Sequence, residues 1–291
     1  MTHEEWESEI ERFARHLKRD TPLAANSVEA YRNHLRRILS FAGGLTKACA
    51  LRFSQGAEKQ WAIKTVSGAI DAYNKYVDWA RRPKDKVRHI TLSAPPSFEH
   101  VPTRQDVERL VAYMREHNAP VRDVALVRFL AATGARISEV LRVTVGDVRR
   151  GYSEQIGKGR KLRRVLIPQS LVADILAGPL VEKSTDLWPL FRRDGFSGRH
   201  FKRRGGVGIS PRWVGGMLHD WAERAGLDDV KAFHPHAFRH YFAKEALKAS
   251  GNDVALVCDL LGHADIQTTS KYLRLTQDEQ RRGLDNIANW F

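Results

Sequence analysis

Between His234 and Tyr272 the chain reads HPHAFRHYFAKEALKASGNDVALVCDLLGHADIQTTSKY, a stretch holding histidines, an arginine and a tyrosine of the kinds that handle phosphate. An imidazole can move a proton near neutral pH, a guanidinium can grip two phosphate oxygens, and a phenol oxygen can attack as a nucleophile. From His236 to Leu247 most residues are good helix formers with apolar positions at helical spacing. His236 and Arg239 therefore stand one turn apart on a shared face and are expected to aim at one place. A second helix is expected from Asp253 to Leu261, with Gly262 as its C-terminal cap and His263 in the following turn. Asp265 can cap a third helix carrying Tyr272. Upstream, a helix is expected to stop at Thr133 and Gly134, and a new one, with Ile137, Val140 and Leu141 buried, to leave Arg136 at its N-terminus. Free N–H groups and the helix dipole suit an anion there. Glu139, one turn on, either orients Arg136 through an ion pair or forms an ordinary surface pair with it.

The rest of the chain must position these groups. Its 291 residues, 42% of them hydrophobic, suffice for two modest domains. Residues 1–82 read as a helical bundle: stripes of Trp6, Ile10, Phe13 and Leu17, then Tyr31, Leu35, Ile38 and Leu39, then Val66, Ala69, Ile70, Tyr73, Val77 and Trp79 recur at helical spacing. Asn26 or Ser27 is expected to cap the second helix, and Gly43 and Gly44 to end it. Residues 83–102 lose periodicity among Pro83, Pro95, Pro96 and Pro102 and read as a linker. The second domain, residues 103–291, opens with Thr103, Gln105 and Asp106 before a helix bearing Val107, Leu110, Val111 and Met114. Strand signal appears only between Tyr152 and Pro168, where Gly157 and Gly159 bracket Lys158 at a turn. A glycine-flanked lysine is by itself more often a plain exposed turn. A helix is expected to start at Ser210 and Pro211.

Charge narrows the partner. With 48 Lys and Arg against 34 Asp and Glu, the formal charge is +14, which favours a polyanion, nucleic acid before membrane. The run RRDGFSGRHFKRRGG supplies Arg192, Arg193, Arg199, Lys202, Arg203 and Arg204 as candidate contacts to a phosphate backbone.

The motifs together resemble the tyrosine recombinase, or phage integrase, family. His236-Ala237-Phe238-Arg239 matches its H-x-x-R box, Leu260-Leu261-Gly262-His263 its L-L-G-H box, and Tyr272, nine residues on, its nucleophile. TGARISEVLRVTVGDV resembles the first arginine box, and the segment around Lys158 the hairpin that carries a catalytic lysine. The strand leading in, YSEQI, is more polar than the family's, so Lys161 is the reserve for Lys158. LAANSVEAYRNHL resembles, more loosely, the opening of the core-binding domain. The resemblance implies a mainly α fold with a small β-hairpin: a helical core-binding domain, then an α+β catalytic domain. It implies cleavage of double-stranded DNA by Tyr272 through a 3′-phosphotyrosyl link that frees a 5′-hydroxyl, with later rejoining without ATP. Arg136 and Arg239 would clamp the phosphate, His236 act as general acid/base, His263 donate to a phosphate oxygen and Lys158 protonate the leaving oxygen. It further implies a tetramer on two paired sites, joined through the C-terminal tail that ends in Trp290 and Phe291.

Other readings are narrower. His234, His236 and His240 lack an acidic companion at the spacing of a helical zinc site, and neither a carboxylate cluster for magnesium nor a glycine-rich nucleotide loop is evident, so no cofactor is expected. Cys49 and Cys258 lack metal-ligand spacing, and Cys258 sits among apolar residues as a core residue would. No apolar run approaches the roughly 18 residues of a spanning helix, and the polar start MTHEEWESEI is no signal peptide, so a cytoplasmic, nucleoid-associated protein is expected. Taken singly, each motif residue reads as core, cap or surface; in family order the six point to catalysis. A type IB topoisomerase-like strand transferase and an inactive DNA-binding regulator of the same fold are the alternatives. The target site, and the choice among integrase, transposon recombinase and Xer-type resolvase, are not written in the sequence.

Overall fold

The computed structural model describes residues 1–88, 100–156, 162–182, 184–192 and 209–262. Over these residues it is mainly helical, with one small antiparallel sheet, as the motifs imply. Contacts divide the chain into two compact units, Met1–Pro95 and Pro96–Phe291.

The first unit is built from helices α1 (His3–Asp20), α2 (Ala25–Ala42), α3 (Lys47–Gly56) and α4 (Ile63–Trp79). Thr2 starts α1 with a capping box, its hydroxyl accepting from the Glu5 N–H and its own N–H donating to the Glu5 carboxylate. The expected stripes face the core: Trp6, Ile10, Phe13 and Leu17 of α1, Leu35, Ile38 and Leu39 of α2, and Val66, Ile70, Tyr73 and Val77 of α4 are all buried. One expectation needs correction, and one helix was missed. The second helix begins a turn early, so Asn26 and Ser27 lie inside it and Ala24 occupies the cap without a side-chain bond. Helix α3, capped by Thr46, was not legible because its ten residues carry only Ala50 and Phe53 inward. The Asn74 side chain exchanges two 2.9 Å hydrogen bonds with the Val87 backbone, and Val87 is buried in this unit's core.

In the second unit Thr103 and Asp106 form a capping box at the start of α5 (Arg104–Glu116). Helix α6 (Val121–Thr133) ends in Gly134 at φ +56. Two short helices, α7 (Ile137–Val140) and α8 (Val145–Arg150), lead into strands β1 (Tyr152–Ile156) and β2 (Leu162–Leu166). The strands pair antiparallel with Tyr152 opposite Leu166 and Ile156 opposite Leu162. After α9 (Gln169–Ala177) come α10 (Pro211–Arg224), capped by Ser210, then α11 (Pro235–Ala249) and α12 (Val254–Leu261). Leu126, Phe129 and Leu130 of α6 pack in one core with Val214 and Leu218 of α10 and Phe238 of α11. Fully burying each such side chain contributes roughly 1.5–3 kcal/mol.

The polar strand β1 has a physical explanation. Ser153 and Gln155 point inward, 1% and 5% exposed. Gln155 Nε2 donates to Ser153 Oγ at 2.7 Å, and Ser153 Oγ donates to the Asp147 carboxylate at 3.0 Å. Asp147 also caps the Thr144 N–H at 2.9 Å. A buried polar face stands because each inward group has a partner.

Candidate active site

Helix α12 closes in the way its sequence suggests. Asp253 caps its start, accepting from the Leu256 N–H at 2.9 Å, and Gly262 ends it at φ +60, ψ 47, a left-handed conformation that strains any residue with a Cβ. The last carbonyls of a helix have no partner within it, and here two arginines supply them. Arg239 Nη2 donates to the Leu261 carbonyl at 2.7 Å, and Arg163 Nη2 donates to the Leu260 carbonyl at 3.2 Å. Positive charge at that end also complements the helix dipole.

Arg239 is 3% exposed, and its other terminal nitrogen, Nη1, donates to the Gly134 carbonyl at 2.8 Å. It thereby joins the turn before Arg136, helix α11 and the end of α12. His236, one turn earlier on α11, is exposed, its ring 4.4 Å from that of His240. The pair thus divides its work more sharply than helical spacing alone suggests: the guanidinium is held inside while the imidazole stands at the surface. His234 caps α11, its Nδ1 accepting from the Ala237 N–H at 3.3 Å. Burial pushes the His240 imidazole down to about 4, helped by the neighbouring charges of His236, His234 and Arg239, so His240 is neutral near pH 7.

Arg136 occupies the cap position of α7, with its side chain 47% exposed. The helix it begins has only four residues, and the Arg136 backbone N–H is already taken by Glu139 Oε2 at 2.8 Å. The anion-binding character expected of that helix end therefore falls to the guanidinium. The Arg136–Glu139 ion pair is present, Nη1 to Oε1 at 3.0 Å, and Glu139 is buried at 3% exposure, so it is no surface pair. Burial disfavours the Glu139 charge, but the Arg136 N–H, the nearby Arg163 charge and the Arg136 side chain outweigh it and hold the carboxyl below its ordinary range.

Arg163 is the residue that sequence reading missed. It lies on β2, alternating with Val165 on the inward side, and its side chain is 9% exposed. Nη1 meets Glu139 Oε2 at 2.5 Å. Burial lowers its pKa against the opposing pull of Glu139, yet a guanidinium remains protonated at any physiological pH. The available signal was an arginine at a strand position of the same parity as Val165 and Ile167.

Arg192 is engaged within its own loop. Its guanidinium donates to the Leu180 carbonyl at 3.0 Å, to Ser184 Oγ at 2.7 Å and to the Pro189 carbonyl at 3.2 Å, and it lies over the Trp188 ring. Lys158, Lys161, His263 and Tyr272 lie outside the described residues, as do Arg193, Arg199, Lys202, Arg203 and Arg204. Among the described residues no three His, Cys, Asp or Glu side chains gather as a metal site, and no helix is long and apolar enough to cross a membrane. Cys258 is buried, as expected of a core cysteine.

The described residues thus bring a buried Arg239 against the turn two residues before Arg136, with His236 exposed one helical turn earlier on the same helix. Comparison with known proteins gives this arrangement its setting. The phage integrase family model matches residues 101–279, and the chain belongs to that family. Tyrosine recombinase XerA of Pyrococcus furiosus is 26% identical over 280 residues, covering 95% of this chain and 92% of the relative. Tyrosine recombinase XerC of Shigella flexneri serotype 5b is 28% identical over 284 residues, covering 92% of each. Two solved structures share the fold. XerH site-specific recombinase bound to its difH substrate before cleavage gives a TM-score of 0.68 at 15% identity, over 96% of this chain and 83% of that one. A lambda integrase dimer bound to a COC′ core site gives 0.67 at 13% identity, over 91% and 76%. The protein is thus a tyrosine recombinase, an enzyme of site-specific DNA cleavage and rejoining.

Proposed function

We propose that this recombinase acts on double-stranded DNA with Tyr272 as nucleophile, forming a 3′-phosphotyrosyl bond as the 5′-hydroxyl leaves. The reading is carried by Arg239, whose two hydrogen bonds bring the Gly134 turn ahead of Arg136 and the end of α12 ahead of His263 onto one helix. Arg136 and Arg239 stabilise the charge on the equatorial oxygens in the transition state. A phenol with an ordinary pKa near 10 needs help to lose its proton at neutral pH, and in this reading His236, exposed one turn before Arg239, takes it. His263 donates to a phosphate oxygen, and Lys158, with Lys161 in reserve, protonates the departing oxygen. The phosphotyrosyl link conserves the bond energy, so a 5′-hydroxyl from another strand can reverse the attack and rejoin DNA.

The net charge of +14 supports broad contact with the DNA backbone, with Arg193, Arg199, Lys202, Arg203 and Arg204 as contributors. In this reading residues 1–82 form the core-binding domain, 83–102 connect, and 103–291 catalyse. A tetramer would work on two paired sites, its protomers linked by the tail ending in Trp290 and Phe291, in the cytoplasm at the nucleoid.

The deciding experiment incubates the protein, without divalent metal, with nicked suicide duplexes from its own genomic flank. An SDS-resistant protein–DNA adduct that Tyr272→Phe abolishes is the expected result. Tight, salt-sensitive binding with no adduct would instead identify a DNA-binding regulator. Deleting residues 284–291 tests the tail: synapsis should weaken in a gel shift while single-site binding persists, and unchanged synapsis removes the tail from the assembly.

A further inference from the structure

We propose that Arg163 is a positioning residue for strand transfer, tying strand β2 both to the carboxylate that orients Arg136 and to the end of the helix that precedes His263. The proposal rests on the recombinase reading above and assigns a task within it to a residue that the motifs do not single out.

Its two ends are both occupied. Nη1 meets Glu139 at 2.5 Å, and Glu139 in turn holds the Arg136 backbone N–H and guanidinium at 2.8 and 3.0 Å. Nη2 reaches the Leu260 carbonyl at 3.2 Å, two residues before Gly262. Between the ends, the arginine stem lies so close to Gly262 that a Cβ there would overlap its Nε and Cδ. Nε itself is buried without a hydrogen-bond partner. Glycine is therefore demanded at 262 twice, by backbone conformation and by the presence of Arg163.

Charge explains why an arginine stands here. Arg136 is half-exposed, so water screens its attraction for Glu139. Arg163, 9% exposed, is the partner that meets this carboxylate away from solvent. With Arg163 gone, the buried carboxylate would have only the screened pair and one N–H to keep it ionised, and a buried charge without adequate partners rearranges or takes up a proton. Arg136 would then lose the anchor that fixes its direction. A lysine could replace the charge, but a single ammonium on a flexible stem does not reproduce the planar fork that spans Glu139 and Leu260.

The test measures three quantities on each variant: melting temperature, DNA affinity by gel shift, and the single-turnover rate of adduct formation on the suicide duplex. Arg163→Gln should bind DNA within about 3-fold of wild type yet form adduct ~10- to 100-fold more slowly, the scale of loss when reacting groups are misplaced by an ångström. Arg163→Lys should fall between the two. Because Arg163→Gln leaves Glu139 poorly paired, at a cost to folding, the neutral pair Arg163→Gln with Glu139→Gln is made beside it. That double variant should melt near wild type and still cleave slowly, with the two substitutions non-additive in rate. A wild-type rate in either folded variant overturns the proposal, as does a loss of rate matched by equal losses of affinity and melting temperature. If wild type itself forms no adduct, the recombinase reading fails, and this proposal with it; a wild-type adduct with an unaffected Arg163→Gln variant sinks the proposal alone.

Discussion

Arg239 and Leu261 are joined by a 2.7 Å hydrogen bond from Nη2 to the carbonyl oxygen, so the arginine of one motif closes the helix that belongs to the next. The same guanidinium holds the Gly134 carbonyl, and both bonds are buried. Arg239→Lys keeps the charge but cannot bridge both carbonyls. It should cost about 1–3 kcal/mol through an unmade buried hydrogen bond, and slow adduct formation by roughly 10²-fold or more, as loss of an oriented charge-stabilising donor does. Urea unfolding and single-turnover cleavage measure the two effects. Unchanged stability would show that the carbonyl bridge holds nothing in place.

Two glycines separate backbone strain from crowding. Gly262 and Gly226 have nearly the same left-handed φ, +60 and +61, but a Cβ at 226 meets nothing within 4 Å, whereas one at 262 would overlap Arg163. Gly226→Ala should cost about 1 kcal/mol, the price of a left-handed residue with a side chain. Gly262→Ala should cost clearly more and suppress cleavage, and the excess should shrink in an Arg163→Gln background. Equal melting temperatures for the two alanine variants would contradict this.

Histidine protonation sets a pH limit on the second unit. His240 is held at about 4, first by burial and then by the charges of His236, His234 and Arg239, against an ordinary value of 6.5. Between those values the unfolded chain binds more protons than the folded one, so stability is full above pH 6.5 and declines as pH falls toward 4. The full shift would correspond to about 3 kcal/mol; for a half-buried ring, solvent screening reduces this to ~1–2 kcal/mol. His240→Asn should therefore flatten the change in unfolding free energy between pH 7 and pH 4.5. A variant that loses as much stability as wild type over that window would exclude His240 as the source.

Much of this was legible in the sequence, for reasons that can be located. The stripe of Trp6, Ile10, Phe13 and Leu17 declared α1, because one helical face must be apolar to reach a core. Gly262 declared the end of α12, because few residues tolerate its backbone. Arg136 and Arg239 were found by motif, but their unequal exposure was not, since spacing along a helix gives an angle and not a depth. Helix α3 escaped because two inward residues make no stripe. Arg163 escaped because a strand with charged residues on both sides looks solvated until its partner Glu139, 24 positions away, is known to be buried. Pairings across such separations are invisible to local pattern.

Salt should govern DNA affinity. With a net charge of +14, contacts to 6–10 phosphates would lower the binding constant by roughly 10³- to 10⁵-fold between 50 and 200 mM salt. Gel shifts on the genomic flank and on unrelated duplex at both salts measure this, and a shallow dependence on both would mean that the excess charge faces elsewhere.

The inward side of β1 has a consequence for how the hairpin can err. Most half-buried strands are held in register by grease, and grease tolerates approximate alignment. Here Gln155 donates to Ser153 and Ser153 to the Asp147 carboxylate, while Glu154 on the outer side pairs with Arg164 at 2.9 Å. A slip of one residue would turn Glu154 into the core and take from the Asp147 carboxylate its bond from Ser153, an error with no near-neutral neighbour. The hairpin therefore behaves as a keyed joint, seated in one position or unseated altogether.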